Sequence, residues 1–136
     1  MGIDYDKDAI DEAHTLNKKF KSNCNSLYLN LLDEKSMIRS YGQSGSYCSI
    51  IERLNCDMLI APAIIHHLFD HCKETDRIIS IFTQLSKNYM IIEQIPETVD
   101  SEKLYGSLKK KYNWRVVEEL PSCPYPRKWL SCIKEH

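Results

Sequence analysis

Two short apolar runs, each stopped by a proline, bracket an amphipathic stretch in the middle of the chain. Residues 57–61 (DMLIA) are closed by Pro62, and residues 89–95 (YMIIEQI) by Pro96. Apolar runs of this length with such boundaries read as buried strands. Between them Ile78, Ile81, Phe82 and Leu85 recur at i, i+3, i+4 and i+7, which is one apolar face of a helix. Thr75 stands where a cap for that helix is needed, and residues 63–72 read as helix or turn. Strand, helix and strand in that order favour parallel pairing through a crossover.

The same logic extends to both ends. Residues 2–5 are too few to judge by periodicity, but Asp6 supplies an N-cap and Asp8 an acidic first turn. Behind them Ala9, Ala13, Leu16 and Phe20, with Ile10 beside them, form a helical stripe. Residues 26–32 (SLYLNLL) read as a strand. Residues 33–46, with Gly42 and Gly45, read as mostly loop, and residues 47–54 as a short helix on Ile50, Ile51 and Leu54. Residues 100–111 form an amphipathic helix on Leu104 and Leu108, and residues 114–120 a strand. Pro121, Pro124 and Pro126 make a tight connection, with residues 123–126 as a rigid turn, before a last strand over residues 127–134. Helices and strands alternate until two strands end the chain. The expected fold class is therefore α/β: a three-layer, mostly parallel sheet with helices on both faces and a C-terminal antiparallel hairpin. Residues 1–136 are expected to form a single domain.

Composition narrows the function classes. The formal net charge is −1, from 18 basic and 19 acidic side chains, so no bulk attraction to nucleic acid or anionic membrane is expected. The basic runs Lys109–Lys110–Lys111 and Arg127–Lys128, near Tyr125 and Trp129, read as a solvated helix end and an edge strand. No apolar run reaches the roughly 20 residues of a membrane helix, and the N-terminus lacks a signal-peptide pattern. Six cysteines without a C-x-x-C pair read as free or buried thiols in a reducing cytoplasm.

Several stretches resemble the class I S-adenosylmethionine-dependent methyltransferase family from its second strand onward. Gly2-Ile3-Asp4-Tyr5-Asp6-Lys7-Asp8-Ala9-Ile10 is similar to the second strand and the helix after it. Tyr28-Leu29-Asn30-Leu31-Leu32-Asp33 is similar to the third strand and the loop that reads the adenine. Cys56 to Leu68 (CDMLIAPAIIHHL) resembles the fourth strand and its turn, and Tyr89-Met90-Ile91-Ile92-Glu93 before Pro96-Glu97 resembles the fifth. The pattern is most like a bacterial subgroup loosely named nodulation-protein-like methyltransferases. The resemblance implies S-adenosylmethionine as cofactor and a small-molecule or protein methyl acceptor. It implies that Asp4 accepts hydrogen bonds from the ribose hydroxyls, that Tyr5 lies against the adenine, and that Asn30 and Leu31 sit at the adenine edge. Ala61 and Pro62 would line the site on the acceptor side. Asp4 also reads, without the family, as an acid capping the following helix.

The family's glycine-rich turn (D-x-G-x-G) has no counterpart here. The chain holds only Gly2, Gly42, Gly45 and Gly106, and none joins a strand to a helix in the required way. The first strand and its turn are expected upstream of Met1 or in a separate upstream partner chain; a homodimer is a further expectation. This polypeptide alone is expected to be weakly active or inactive, and a non-catalytic interaction module of the same fold is the alternative.

Three side chains near the apolar runs could carry acceptor chemistry. His66 or His67 has the near-neutral pKa that suits removing a proton from a hydroxyl or amine; the alternative is that one bonds to backbone at a turn and the other is exposed. Glu93, at the end of an apolar strand, sits where open α/β sheets place ligands. It could orient a substrate amine or pair with a nearby Lys or Arg. His67 and His71 lie four residues apart near Asp70 and Cys72, but the spacing matches no standard zinc signature, and no metal is expected.

Overall fold

The computed structural model describes residues 1–33, 37–39, 47–122 and 127–135. Gly42, Gly45 and the expected turn at residues 123–126 lie outside them. The chain divides into two compact units, Met1–Asp33 and Glu34–His136.

The first unit is a small βαβ. Strand β1 (Gly2–Asp4) pairs in parallel with β2 (Ser26–Tyr28), Asp4 standing opposite Tyr28. Helix α1 (Lys7–Phe20) connects them. It starts where expected: the Asp6 carboxylate accepts from the Asp8 and Ala9 amides at 2.9 and 3.2 Å, satisfying two of the first-turn donors. It ends on Lys21, a non-glycine residue in the left-handed region at φ 51°. The apolar stripe is only partly used: Ile10 is buried, whereas Leu16 and Phe20 are 43% and 70% exposed. The strand expected over residues 26–32 stops at Tyr28. The Asn30 side chain captures the Leu32 amide at 3.0 Å, and its carbonyl accepts from Asp33 at 3.1 Å, an Asx-type turn that ends the strand.

In the second unit, β3 (Met37–Arg39) and β4 (Tyr47–Ser49) form an antiparallel pair. This corrects the loop expected at residues 37–39 and the helix expected from residue 47, which begins only with α2 (Ile50–Leu54). The main sheet follows. Its strands are β5 (Cys56–Ala61), β6 (Ser86–Gln94), β7 (Trp114–Ser122) and β8 (Arg127–Lys134), in the order β5-β6-β8-β7. β5 and β6 run parallel; β8 lies antiparallel between β6 and β7. The sheet is thus mixed, with β5, β6 and β7 running in one direction and β8 against them, and the antiparallel terminal strand pair is present.

Helices α3 (Ile65–Cys72) and α4 (Thr75–Leu85) cross from β5 to β6. The cap position of α4 is Glu74, not Thr75, and no side chain bonds there. The α4 stripe is fully used: Ile78, Ile81, Phe82 and Leu85 are all buried. Helix α5 (Ser101–Gly106) is capped by the Asp100 carboxylate and widens into a π turn over Ser107–Lys111, with Leu104 and Leu108 buried.

Register divides the sheet into two unlike faces. Met90, Ile92, Leu130, Cys132 and Trp114 share the face toward α4 and are buried; the Trp114 indole N–H donates to Thr83 Oγ1 of α4 at 2.9 Å. The other face carries Met58, Ile60, Tyr89 and Ile91. Met58, Ile60 and Tyr89 are 48%, 58% and 47% exposed. The expectation of buried strands with helices on both faces is therefore corrected for β5: no described helix covers this part of its outer face. The two sheet edges differ as well. β7 has a bulge at Val117, the charges of Arg115, Glu118 and Glu119, and Pro121, which has no N–H to offer. That explains how a proline expected in a turn sits within a strand. β5 is unpaired on its outer side among the described residues; it carries one charge, Asp57, where its register against β6 shifts between Cys56 and Met58, and no proline.

Of the described thiols, Cys24 is exposed and Cys132 is buried, with burial pushing the Cys132 thiol up to about 12. Alkylation of the native chain with iodoacetamide should modify Cys24 readily and leave Cys132 unmodified until the protein is unfolded. Peptide mass mapping checks this.

Candidate functional site

The residues singled out from the sequence fall into two groups, one in each unit. In the first unit, Asp4 ends β1, and Asn30 and Leu31 follow β2, so they stand at the same, C-terminal, end of a parallel strand pair. That is the end of a parallel sheet where ligands are bound. The Asp4 carboxylate is exposed and accepts the Asp6 amide at 3.0 Å; its own carbonyl accepts from Leu29 at 2.8 Å, tying the two strand ends together. The Tyr5 ring is about half exposed at 48%. The Asn30 side-chain oxygen is committed to the Leu32 amide.

In the second unit, Ala61 ends β5 and Glu93 lies near the end of β6, the register placing Ala61 beside Ile92. Ala61 is buried, and Pro62 after it is exposed. Ala63 then takes φ 47°, a left-handed conformation that costs an alanine roughly 1–2 kcal/mol. This bend sets up α3, whose second and third residues are His66 and His67. Their rings lie 4.0 Å apart, centroid to centroid, tilted by 38°. No side chain caps the start of this helix.

Glu93 is buried at 5% exposure, and its carboxylate accepts from the Arg127 guanidinium at 3.4 Å. Of the two readings of Glu93, the structure shows the ion pair. Arg127, read from the sequence as part of an edge strand, lies on the inner strand β8 and is the residue the sequence analysis missed; only the antiparallel register of β8 brings it to this strand end. His66 Nδ1 is buried without a hydrogen-bond partner, so that nitrogen makes no backbone bond. Burial, then the neighbouring His67 and Arg127, hold the His66 pKa below its ordinary 6.5, against the pull of Asp70 and Glu93.

This has a consequence for stability. The unfolded chain takes up a proton on His66 near pH 6.5, whereas the folded chain resists it to lower pH. Stability should be fully present above the ordinary histidine value of 6.5 and be lost progressively as the pH falls below it toward the lowered folded value. Titration of the His66 Cε1–H resonance, beside urea midpoints across the same range, checks the sign. In a His66→Gln variant this contribution to the slope should disappear.

A groove of about 370 Å³ lies elsewhere, between α5 and β7, lined in part by Tyr105, Lys109, Trp114, Val116 and Glu119. None of the residues expected from the sequence reaches it. The Tyr105 hydroxyl and Lys128 hold the Glu119 carboxyl below its usual range. Among the described residues, no three His, Cys, Asp or Glu side chains converge as a metal site would require. No described helix is long and apolar enough to cross a membrane.

No protein-family model matches the chain, and no curated protein matches it. Among solved structures it is similar to a low-resolution structure of WbdD whose C-terminal bundle is ordered to residue 505. The TM-score is 0.65 at 15% identity, covering 100% of this chain and 26% of that one. The likeness is to a distant methyltransferase-like fold. At this identity it extends to the fold alone, and the chain spans about a quarter of the WbdD chain.

Proposed function

We propose that this chain carries the methyltransferase-fold framework of an S-adenosylmethionine-dependent enzyme acting on a small-molecule or protein nucleophile, with a Rossmann-like sheet as its core. One observation carries the reading: the last strand, β8, inserts antiparallel between β6 and β7, while β5, β6 and β7 run parallel to one another, which fits an open α/β sheet closed by an antiparallel terminal strand pair. The likeness to WbdD supports it at the level of the fold.

The exposed Asp4 carboxylate suits a vicinal diol, because it accepts hydrogen bonds and donates none at neutral pH. The half-exposed Tyr5 ring offers a stacking face to a purine. Asn30, its oxygen engaged with Leu32, retains amide N–H donors for the adenine edge, with Leu31 beside it. The amino-acid end of the cofactor has no glycine-rich turn in this sequence, so binding by this polypeptide is expected to be weak. When bound, S-adenosylmethionine supplies an electrophilic methyl group. On the acceptor side, Ala61 and Pro62 bound the strand end and His66 accepts the proton of an acceptor hydroxyl or amine. Its depressed pKa keeps it unprotonated at neutral pH, as a base requires. Glu93, held by Arg127, supports the site's charge balance rather than meeting an amine directly, and His67 limits the orientation of His66.

Calorimetric titration with S-adenosylhomocysteine tests the reading. Heat that saturates in the wild type and weakens at least tenfold in Asp4→Ala is the expected result; no heat at millimolar ligand would remove the cofactor assignment for this chain. A second reading, a non-catalytic interaction module, is favoured by the bare apolar face beside the open β5 edge.

A further inference from the structure

The outer face of the main sheet is a patch that the chemistry above does not use. At one level across the strands stand Met58, Tyr89, Ile133 and Arg115; at the next stand Ile60, Ile91, Ser131 and Glu118. Met58, Ile60 and Tyr89 are each about half exposed. With their neighbours they leave on the order of 400–500 Å² of apolar surface, toward the upper end of what a lone soluble domain shows. The polar border and the β5 edge bring the area near the roughly 800 Å² per partner of a specific interface.

We propose that this face packs against the same face of a second copy, about a twofold axis that lies in the interface and runs across the strands between these two levels. The pattern selects this axis. Rotation about it sets Met58 over the partner's Ile60 and Tyr89 over the partner's Ile91, apolar on apolar. It also sets Arg115 over the partner's Glu118, and by symmetry the reverse, so the only two exposed charges at these levels meet opposite charges. An axis parallel to the strands would instead set Met58 and Ile60 against Arg115 and Glu118. An axis half a level higher, through Ile60 and Glu118, would set Glu118 on itself. Arg115 already meets Glu135 at 3.0 Å, but both side chains are more than half exposed, and such a pair holds the guanidinium only loosely. Two twisted sheets packed face to face with aligned strands are a common way to bury such faces.

Sedimentation velocity of the full chain over a concentration series tests this, with circular dichroism to confirm that each variant folds. The wild type should show a reversible monomer–dimer equilibrium. Ile60→Lys, at a position exposed in the monomer, should be monomeric throughout. Glu118→Arg alone should weaken dimerisation about tenfold or more, and the double swap Arg115→Glu with Glu118→Arg should restore it. A wild type monomeric at every concentration would overturn the proposal. So would a dimer indifferent to Ile60→Lys, a double swap no better than the single change, or association only with phosphatidylcholine vesicles.

Discussion

Replacing Trp114 with alanine should cost about 3–5 kcal/mol of folding stability, a large share of the roughly 5–15 kcal/mol that domains of this size possess. Trp114 is fully buried and opens β7. Its ring is held against α4 by the indole hydrogen bond to Thr83, while the Lys134 ammonium lies 5.7 Å from the ring centroid. Truncation leaves a cavity between sheet and helix and deprives Thr83 Oγ1 of its donor. Urea unfolding measures the loss. Trp114→Phe should recover most of the packing while still forfeiting the hydrogen bond, so an intermediate midpoint is expected. A Trp114→Ala midpoint close to that of the wild type would mean that β7 contributes little to the cooperative unit.

Arg127→Ala should destabilise by about 2–3 kcal/mol. Removing one partner of a fully buried ion pair costs about 3–5 kcal/mol; the figure here is lower because the Arg127 side chain is 34% exposed and water screens part of the loss. The change leaves the Glu93 carboxylate buried without its guanidinium. Adding Glu93→Gln removes the uncompensated charge, so the double variant should be more stable than Arg127→Ala alone, and a double-mutant cycle reads the coupling. Arg127→Ala should also raise the His66 pKa, since a cation that lowers it is gone and Glu93 still pulls it upward. Because stability and histidine titration are read separately, loss of the ion pair can be told from general disruption of the strand end.

The core around α4 was legible because period and burial agree there: every residue of the Ile78, Ile81, Phe82, Leu85 stripe is inside. The same reasoning overstated α1 and β5. Leu16, Phe20, Met58 and Ile60 lie on apolar faces, yet they are largely open to solvent. Periodicity says which residues share a face; it does not say what covers that face. Strand ends were misplaced where side chains compete with the backbone ladder, as Asn30 does, and the pair Met37–Arg39 and Tyr47–Ser49 was hidden because three-residue strands are too short to show an alternation and the polar, glycine-containing sequence between them reads as loop. The π turn after Gly106 is likewise invisible to a 3.6-residue period, since Leu104 and Leu108 fit either winding.

Of the candidate site, the strand-end positions of Ala61 and Glu93 follow from the proline-stopped runs, and each unit places its chosen residues at the C-terminal end of a parallel pair. The Glu93–Arg127 pair was half legible: a carboxylate at a strand end was expected to find a cation or a substrate, but the partner lies 34 residues away and is delivered by the antiparallel register of β8.

The unequal edges of the main sheet carry a consequence of their own. A ribbon with two bare margins can add neighbours on either side and grow without limit into a fibre. Here the bulge, charges and proline of β7 close one margin and, among the described residues, leave β5 as the open one. The sheet has a valence of one: a copy of itself joined along β5 would present only closed β7 margins outward, and the addition would end there.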